Sequence, residues 1–171
     1  MRLEAYKTGS KFELRPPERS AEWAGYHSIR QRAIFAEHLP ELDYRTDHPD
    51  ETAKGNQPLC LYRNGTLVGA IRVDFLDGEK AAFRLLAIDP ACQRQGYGSV
   101  ALMLAEQFAK AHGRMRVVLH AHRSVLFFYA RNGYLHAEWD EAPLSADSAT
   151  LGKRLNLGVA QHDGSVYIAA A

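Results

Sequence analysis

Long apolar runs are missing from this chain. Nowhere do hydrophobic residues approach the roughly 20 in succession that a membrane-spanning helix needs, which argues against a membrane partner. Cysteine is scarce: only Cys60 and Cys92 occur, far apart and in no CxxC spacing. A disulfide framework or a structural zinc site is not expected from such a pair, which reads as reduced, half-buried thiols. An excess of one charge is also missing. The net charge is +1 and no basic run occurs, so the footprint that a nucleic-acid partner normally leaves is absent. The N-terminus, MRLEAYKTGSKFEL, carries charges where a secretory signal needs an apolar stretch, which points to the cytoplasm. Repeats and domain linkers are lacking too. The 171 residues, 46% hydrophobic, suit a single domain over 1–171 with an ordinary core.

What is present alternates between the two regular periods. Residues 1–11 read as a loose start, and Phe12-Glu13-Leu14-Arg15 as a half-buried strand ended by Pro16-Pro17. Ser20 is placed to cap a helix running to about His38, with Trp23, Tyr26, Ile29, Ala33 and Ile34 on its apolar side. Residues 40–57 are polar and rich in turn formers, a loop with room for a short helical turn. A meander follows: a strand at 59–62, a hairpin turn at Asn64-Gly65, a strand over 66–75, a second turn at Asp77-Gly78, and a strand over 80–88. Then come a helix over about 99–112, stopped by Gly113, and a strand over 116–120. A short helix capped by Ser124 ends at Asn132-Gly133, and strands are expected at 134–139 and 150–155. The tail from 156 gives no clear signal. The order is that of a mixed α/β domain with one right-handed crossover, from strand 80–88 to strand 116–120.

The informative segment is Leu86-Ala87-Ile88-Asp89-Pro90-Ala91-Cys92-Gln93-Arg94-Gln95-Gly96-Tyr97-Gly98-Ser99. A strand ends, a short loop follows, and two glycines open a helix. The N–H groups of such a loop lack internal partners, and with the positive end of the helix dipole they make an anion site. Gly96 and Gly98 let a bulky pyrophosphate approach the backbone. The P-loop pattern GxxxxGK[ST] is absent. A dinucleotide fingerprint fits Gly96-x-Gly98-x-x-Ala101 loosely, but seven residues, 89–95, separate the strand from the turn. The next strand also ends Leu119-His120, without the acidic residue that fold requires.

The spacing Gln93-x-x-Gly96-x-Gly98, with its flanking strand and helix, resembles motif A of the GNAT superfamily of acyl-CoA-dependent N-acetyltransferases. Ser124-Val125-Leu126-Phe127-Phe128-Tyr129-Ala130-Arg131-Asn132-Gly133-Tyr134 resembles a second segment of that family, at the right distance downstream. Leu151-Gly152-Lys153-Arg154-Leu155 resembles its frequent last strand. The resemblance covers roughly 12–155 and is strongest over 84–134. It implies a mostly antiparallel central sheet with helices on both faces, split by a splayed parallel pair at the cofactor. It implies acetyl-CoA as acyl donor, with no metal, and an acceptor that is a small-molecule amine or a protein amine. Many members pair through their sheets, so a homodimer is left open.

By position, the resemblance places the pyrophosphate on the backbone N–H groups of Gln95, Gly96, Tyr97, Gly98 and Ser99, with Gln93 and Arg94 of the same loop also at the cofactor. The pantetheine arm would lie along Leu86, Ala87 and Ile88, near Ser124 and Phe128. His120 stands where the family often has an asparagine contacting pantetheine. Tyr129 would be the general acid for the departing thiolate; on its own it reads as an aromatic on the apolar face of a short helix. A backbone N–H near Leu86 or Ala87 would stabilise developing negative charge on the thioester oxygen. The base is open. Ala82 stands where some members have a glutamate, and His38, Asp43, His48, Asp50 and Glu51 lie in the segment used for acceptor binding. His120 and His122 are spaced to face the same way at a strand end. Asp74 and Arg84 are expected to pair on an exposed sheet face, or else to line the acceptor cleft. The missing glutamate also keeps open a rival reading, a non-catalytic acyl-CoA-binding sensor or interaction module of the same fold.

Overall fold

A computed structural model describes residues 1–156 and the strand at 167–169. The chain opens with a hairpin, β1 (Leu3–Lys7) and β2 (Ser10–Arg15). The expected loose start at 1–11 is thereby corrected. Leu3 and Ala5 alternate with polar residues and are buried, and Thr8-Gly9 makes the turn with positive φ at both residues. Next come α1 (Ser20–Arg30), a π-helical turn over Gln31–Phe35 and α2 (Ala36–His38), one continuous helical run to the expected end. A 3-10 turn over Pro49–Glu51 interrupts the following loop. The meander is β3 (Asn56–Arg63), β4 (Thr66–Phe75) and β5 (Lys80–Ile88). Asn64 and Gly65 both have positive φ, the geometry that matches hairpin twist.

After β5 come α3 (Tyr97–Ala111), β6 (Arg116–His122), α4 (Leu126–Arg131), β7 (Leu135–His136), β8 (Ser148–Arg154) and β9 (Tyr167–Ala169). The tail that the sequence left unread falls outside the described residues apart from β9. The sheet order is β7-β8-β6-β5-β4-β3-β2-β1-β9. Every pairing is antiparallel except β5 with β6. The strand expected at 134–139 shrinks to two residues, because the chain leaves the sheet at Ala137 and carries Trp139 onto the ring of His120.

Alternation along the strands divides the core between two faces. Leu59, Leu61, Ile71, Val73 and Phe83 join Val100, Leu104 and Phe108 of α3. Cys60, Tyr62, Ala70 and Ala87 join Tyr26, Ile29 and Ala33 of the α1 run. Two irregularities then shape the site. The β4–β5 register slips between Ala70 and Arg72, so that one residue opposes Leu85 and Leu86, and Leu85 takes a positive φ of 50°. Such a bulge bends its strand. The parallel pairing of β5 with β6 covers only Lys80, Ala81 and Ala82 against Arg116, Val117 and Val118, after which the strands part.

Helix α1 starts one residue earlier than expected. Arg19 occupies the N-cap, and Ser20 is the first helical residue. The orphan N–H groups of Glu18 and Arg19 are satisfied by the Glu22 carboxylate at 2.8 and 3.1 Å. Arg15 at 2.6 Å and Arg19 at 3.0 Å bind the other oxygen. The Arg15 hydrogen bond, joined by these N–H groups, holds the Glu22 carboxyl well below its ordinary 4.5. A carboxyl depressed on folding contributes stability above its unfolded value, and that stability is lost as pH falls through the folded one. Glu22→Gln is therefore expected to lower Tm at pH 7 by at least about 3 °C. It should also flatten the loss of Tm between about pH 5 and 3. Parallel Tm–pH curves for the two proteins would remove Glu22 from this role.

Candidate active site

The parting of β5 from β6 opens a cleft of about 1300 Å³. One end is the loop between β5 and α3, the middle is the splay, and the other end lies against α1, α2 and the 40–51 loop. Leu86, Ala87, Ile88, Gln93, Arg94, Gly96, Tyr97, Gly98, Ser99, His120, Ser124, Phe128 and Tyr129 all line it. Among the residues expected at the site, Gln95 does not; its side-chain oxygen instead accepts from the Tyr97 hydroxyl at 2.8 Å.

At the loop, Gly96 caps α3 in the left-handed conformation, φ 77° and ψ 11°, followed by helical Tyr97. Successive left- and right-handed residues turn their N–H groups into one concavity, and the first N–H groups of α3 have no intrahelical acceptor. A Cβ at Gly96 would also run into the Lys7 ammonium, which lies over this turn. Lys7 was hidden from sequence reasoning, because its hairpin is recognised only once Leu3 and Ala5 are seen to be buried. At Gly98 a Cβ would press on the Phe128 ring at 3.2 Å. That glycine therefore serves helix–helix packing as well as access to the loop.

At the splay, Tyr129 packs edge-on against Phe128 and Tyr134, with ring centroids 5.0 and 5.7 Å away. Burial pushes its phenol well above the ordinary value of 10, so it stays protonated at neutral pH. The expected Ser124 cap is not formed: Val125 is the N-cap of α4, and His122 caps a 3-10 turn over Arg123–Val125 before it, its Nδ1 accepting from the Ser124 N–H at 3.3 Å and lying 2.8 Å from its hydroxyl. His120 and His122 both face the cleft, but each stacks on a different ring: His120 on Trp139 at 4.5 Å and His122 on His38 at 4.9 Å. His120 Nδ1 lies 3.2 Å from the Thr150 hydroxyl, while its Nε2 is buried and has no hydrogen-bond partner. Among the described residues no group of three or more His, Cys, Asp or Glu is placed to hold a metal ion.

The end of the cleft against α1, α2 and the 40–51 loop is lined by His38, Asp43, His48, Asp50 and Glu51. Glu51 is buried and bound to Arg30 at 2.8 Å and Arg72 at 3.1 Å. Burial alone would raise its carboxyl, but these arginines hold it below the usual range, which makes it a poor base. Asp74 and Arg84 do pair, at 3.1 Å, but the expected exposed face is corrected. Asp74 is buried opposite Ala82, and Arg84 lines the cleft. The α1 run and the 40–51 loop cover this sheet face, which strand alternation alone cannot reveal.

Comparison with known proteins agrees with this geometry. A family model described as "Acetyltransferase (GNAT) family" matches residues 22–134. Among solved structures, an acetyltransferase of the GNAT family from Staphylococcus aureus superposes with a TM-score of 0.70 at 19% identity, covering 85% of this chain and 99% of that one. The PaiA N-acetyltransferase of Thermoplasma acidophilum, in complex with coenzyme A, gives 0.66 at 18% identity, with 84% and 98% covered. The ribosomal-protein-S18-alanine N-acetyltransferase of Escherichia coli gives 0.66 at 16%, with 88% and 97% covered.

The state of the cleft wall is directly measurable. Burial lowers the His120 ring below its ordinary 6.5, outweighing the raising influence of nearby Glu141. Titration by NMR is expected to place His120 below that value in the free protein; a result at or above it would mean that the ring is solvated and the wall open.

Proposed function

The chain belongs to the GNAT acetyltransferase family, and from that premise we propose that it transfers an acetyl group from acetyl-CoA to an amine by direct attack in a ternary complex. The observation that carries the reading is the left-handed Gly96 cap of α3, opening on the same cleft as the unpaired edge of β5. A ligand suited to that cleft has an anionic end and a long arm rich in amides. The residues present fit such a group: a concave N–H turn beside Lys7, a strand edge without partner, and the orphaned Nε2 of His120.

In this reading the backbone of residues 93–99 holds the pyrophosphate. Leu86 to Ile88 pair with the pantetheine amides, His120 Nε2 supplies a further hydrogen bond, and Ser124 and Phe128 flank the arm. Acetyl-CoA supplies a thioester-activated acetyl group and a thiolate leaving group. A backbone N–H near Leu86 or Ala87, beside the Leu85–Leu86 bulge, would face the place where negative charge gathers on the thioester oxygen, and a fixed donor there lowers the barrier. Tyr129 keeps a proton at its Oη for the departing sulfur. Burial raises the phenol, and the same burial raises a thiol beside it, so the two stay matched.

An alkylammonium acceptor, with a pKa near ~10, must lose a proton before it attacks. Ala82 is fully buried and has no group to take it. His38 is stacked on His122, and the ring nitrogen of His48 accepts from the Asp50 N–H. In this reading the proton leaves to water, and kcat/KM should rise with pH along the acceptor's own pKa across several amines. One fixed limb near pH ~6–7 for every acceptor would instead reveal a histidine base.

Two substitutions separate binding from chemistry. Gly98→Asp should weaken acetyl-CoA binding by calorimetry at least about tenfold, or ~1.4 kcal/mol, in a protein that still melts cooperatively. Near-normal affinity would sink the loop assignment. Tyr129→Phe keeps the packing ring and should lower kcat by about 10²–10⁴-fold with little change in acetyl-CoA affinity. A fall of less than about fivefold, accompanied by weaker binding, would make Tyr129 a cofactor contact only.

A further inference from the structure

The acceptor end of the cleft rests on an ion network whose charges do not balance within the buried layer. Three arginines converge there: Arg30, Arg72 and Arg84. Among the described residues only two buried carboxylates answer them, Glu51 and Asp74. Every oxygen of those two is engaged. Glu51 takes Arg30 Nη1 and Arg72 Nη1 on Oε1, and the Tyr26 hydroxyl at 3.0 Å on Oε2. Asp74 takes Arg72 Nε at 2.7 Å on Oδ1, then Arg72 Nη2 at 2.9 Å and Arg84 Nε at 3.1 Å on Oδ2. Arg30 is fully buried, lies 4.7 Å from the Tyr26 ring, and leaves Nε and Nη2 without partners. Asp50, more than half exposed, comes no nearer than 3.9 Å to Arg72.

Arg84, whose side chain is 21% exposed, shares Asp74 with Arg72, so a third negative charge is drawn from outside this layer. It comes from Glu141, in the loop between β7 and β8, whose side chain is 44% exposed. Both Arg84 Nη atoms bind its carboxylate, Nη2 to Oε2 at 2.7 Å. Such a two-pronged contact is the arrangement by which arginine recognises any carboxylate. The Arg84 guanidinium is held in place from below by Asp74 and from the side by the Trp139 ring, 4.7 Å away. It lies immediately before the Leu85–Leu86 bulge, facing the same cleft.

We propose that Arg84 is the receptor for a carboxylate on the acceptor, that Glu141 occupies this receptor until the acceptor displaces it, and that the acceptors are therefore small amino acids or similar amino-carboxylates. The proposal rests on the acyl-transfer reading above. Exchange of one carboxylate for another conserves charge, so the arginine layer stays neutral throughout. Displacement frees the β7–β8 loop, whose Glu141, Ala142 and Leu144 line the cleft. An amine without a carboxylate leaves Glu141 in place and meets a narrowed entrance.

Paired acceptors test this: standard amino acids and their carboxamides, which share size and amine but differ in charge. With wild-type protein, kcat/KM for the acid should exceed that for the amide by at least about tenfold for the preferred side chain. Arg84→Gln should collapse that ratio to within about twofold. Glu141→Gln, whose folding is checked by its melting curve, should raise the ratio several-fold by removing the internal competitor. Amides used as well as acids by the wild type would overturn the proposal. So would a Glu141→Gln change that speeds both alike, since the loop would then be a cover without a carboxylate site beneath it. Calorimetry of the same pairs in the presence of coenzyme A needs no turnover. Acid binding that Arg84→Gln weakens tenfold, without thiol release from acetyl-CoA, would sustain the carboxylate site while contradicting acyl transfer. No preference for acid over amide in binding would contradict the site alone.

Discussion

Two neighbouring strands that separate leave N–H and C=O groups facing one another with nothing between them, and buried groups of that kind are costly unless something pairs with them. β5 and β6 pair over three residues and then part. The bulge at Leu85–Leu86 bends β5 away, while β6 continues into its long ladder with β8. The gap is filled from the ends: α3 begins at one side with its unsatisfied N–H groups, and α4 brings Tyr129 to the other. A single interruption in the sheet thus creates a polar backbone edge, an anion-attracting helix start and a buried phenol along one cleft.

The opposite end of that cleft is governed by charge. Small residues on the α1-facing side of the meander, Ala70, Ala82 and Ala87, leave room for the long side chains of Arg72 and Arg84 over the sheet. Glu51 then ties the 3-10 turn to α1 and β4 at once. The π-helical turn before α2 carries Phe35 and His38 to the cleft edge, and an ion pair of 2.9 Å from Arg32 to Asp89 fastens that turn to the end of β5. Rigid anchoring on both sides of the mouth is what positioning of a small acceptor requires.

Local signals in the sequence were sufficient for the meander, the crossover and the glycine loop. Asn64-Gly65, the alternation along 66–75 and 80–88, and the helical stripe of Val100, Leu104 and Phe108 each rest on neighbours within a few positions. The first hairpin was not legible, since Thr8-Gly9 is a weaker turn signal and five-residue β1 draws its stability from β2 and β9. Helix caps failed for a related reason. Serines at 20 and 124 compete with Glu22 and His122, and tertiary partners such as Arg15 decide the winner. That most of the loop and splay residues line one cleft was legible because each of the two motifs is contiguous. Lys7, Glu141 and the arginine layer were not, because they come together from segments far apart in the sequence, 57 positions for Arg84 and Glu141.

Whether the cleft performs chemistry or only holds a thioester is the question on which the account turns. The direct measurement is thiol release from acetyl-CoA by the purified protein across a panel of amines, with mass spectrometry of the amine products. The account predicts release that depends on the amine, with one acetyl group appearing on nitrogen for each thiol formed. Tight acetyl-CoA binding with release no faster than in the absence of any amine would contradict it, and would mark the protein as an acyl-CoA-binding module.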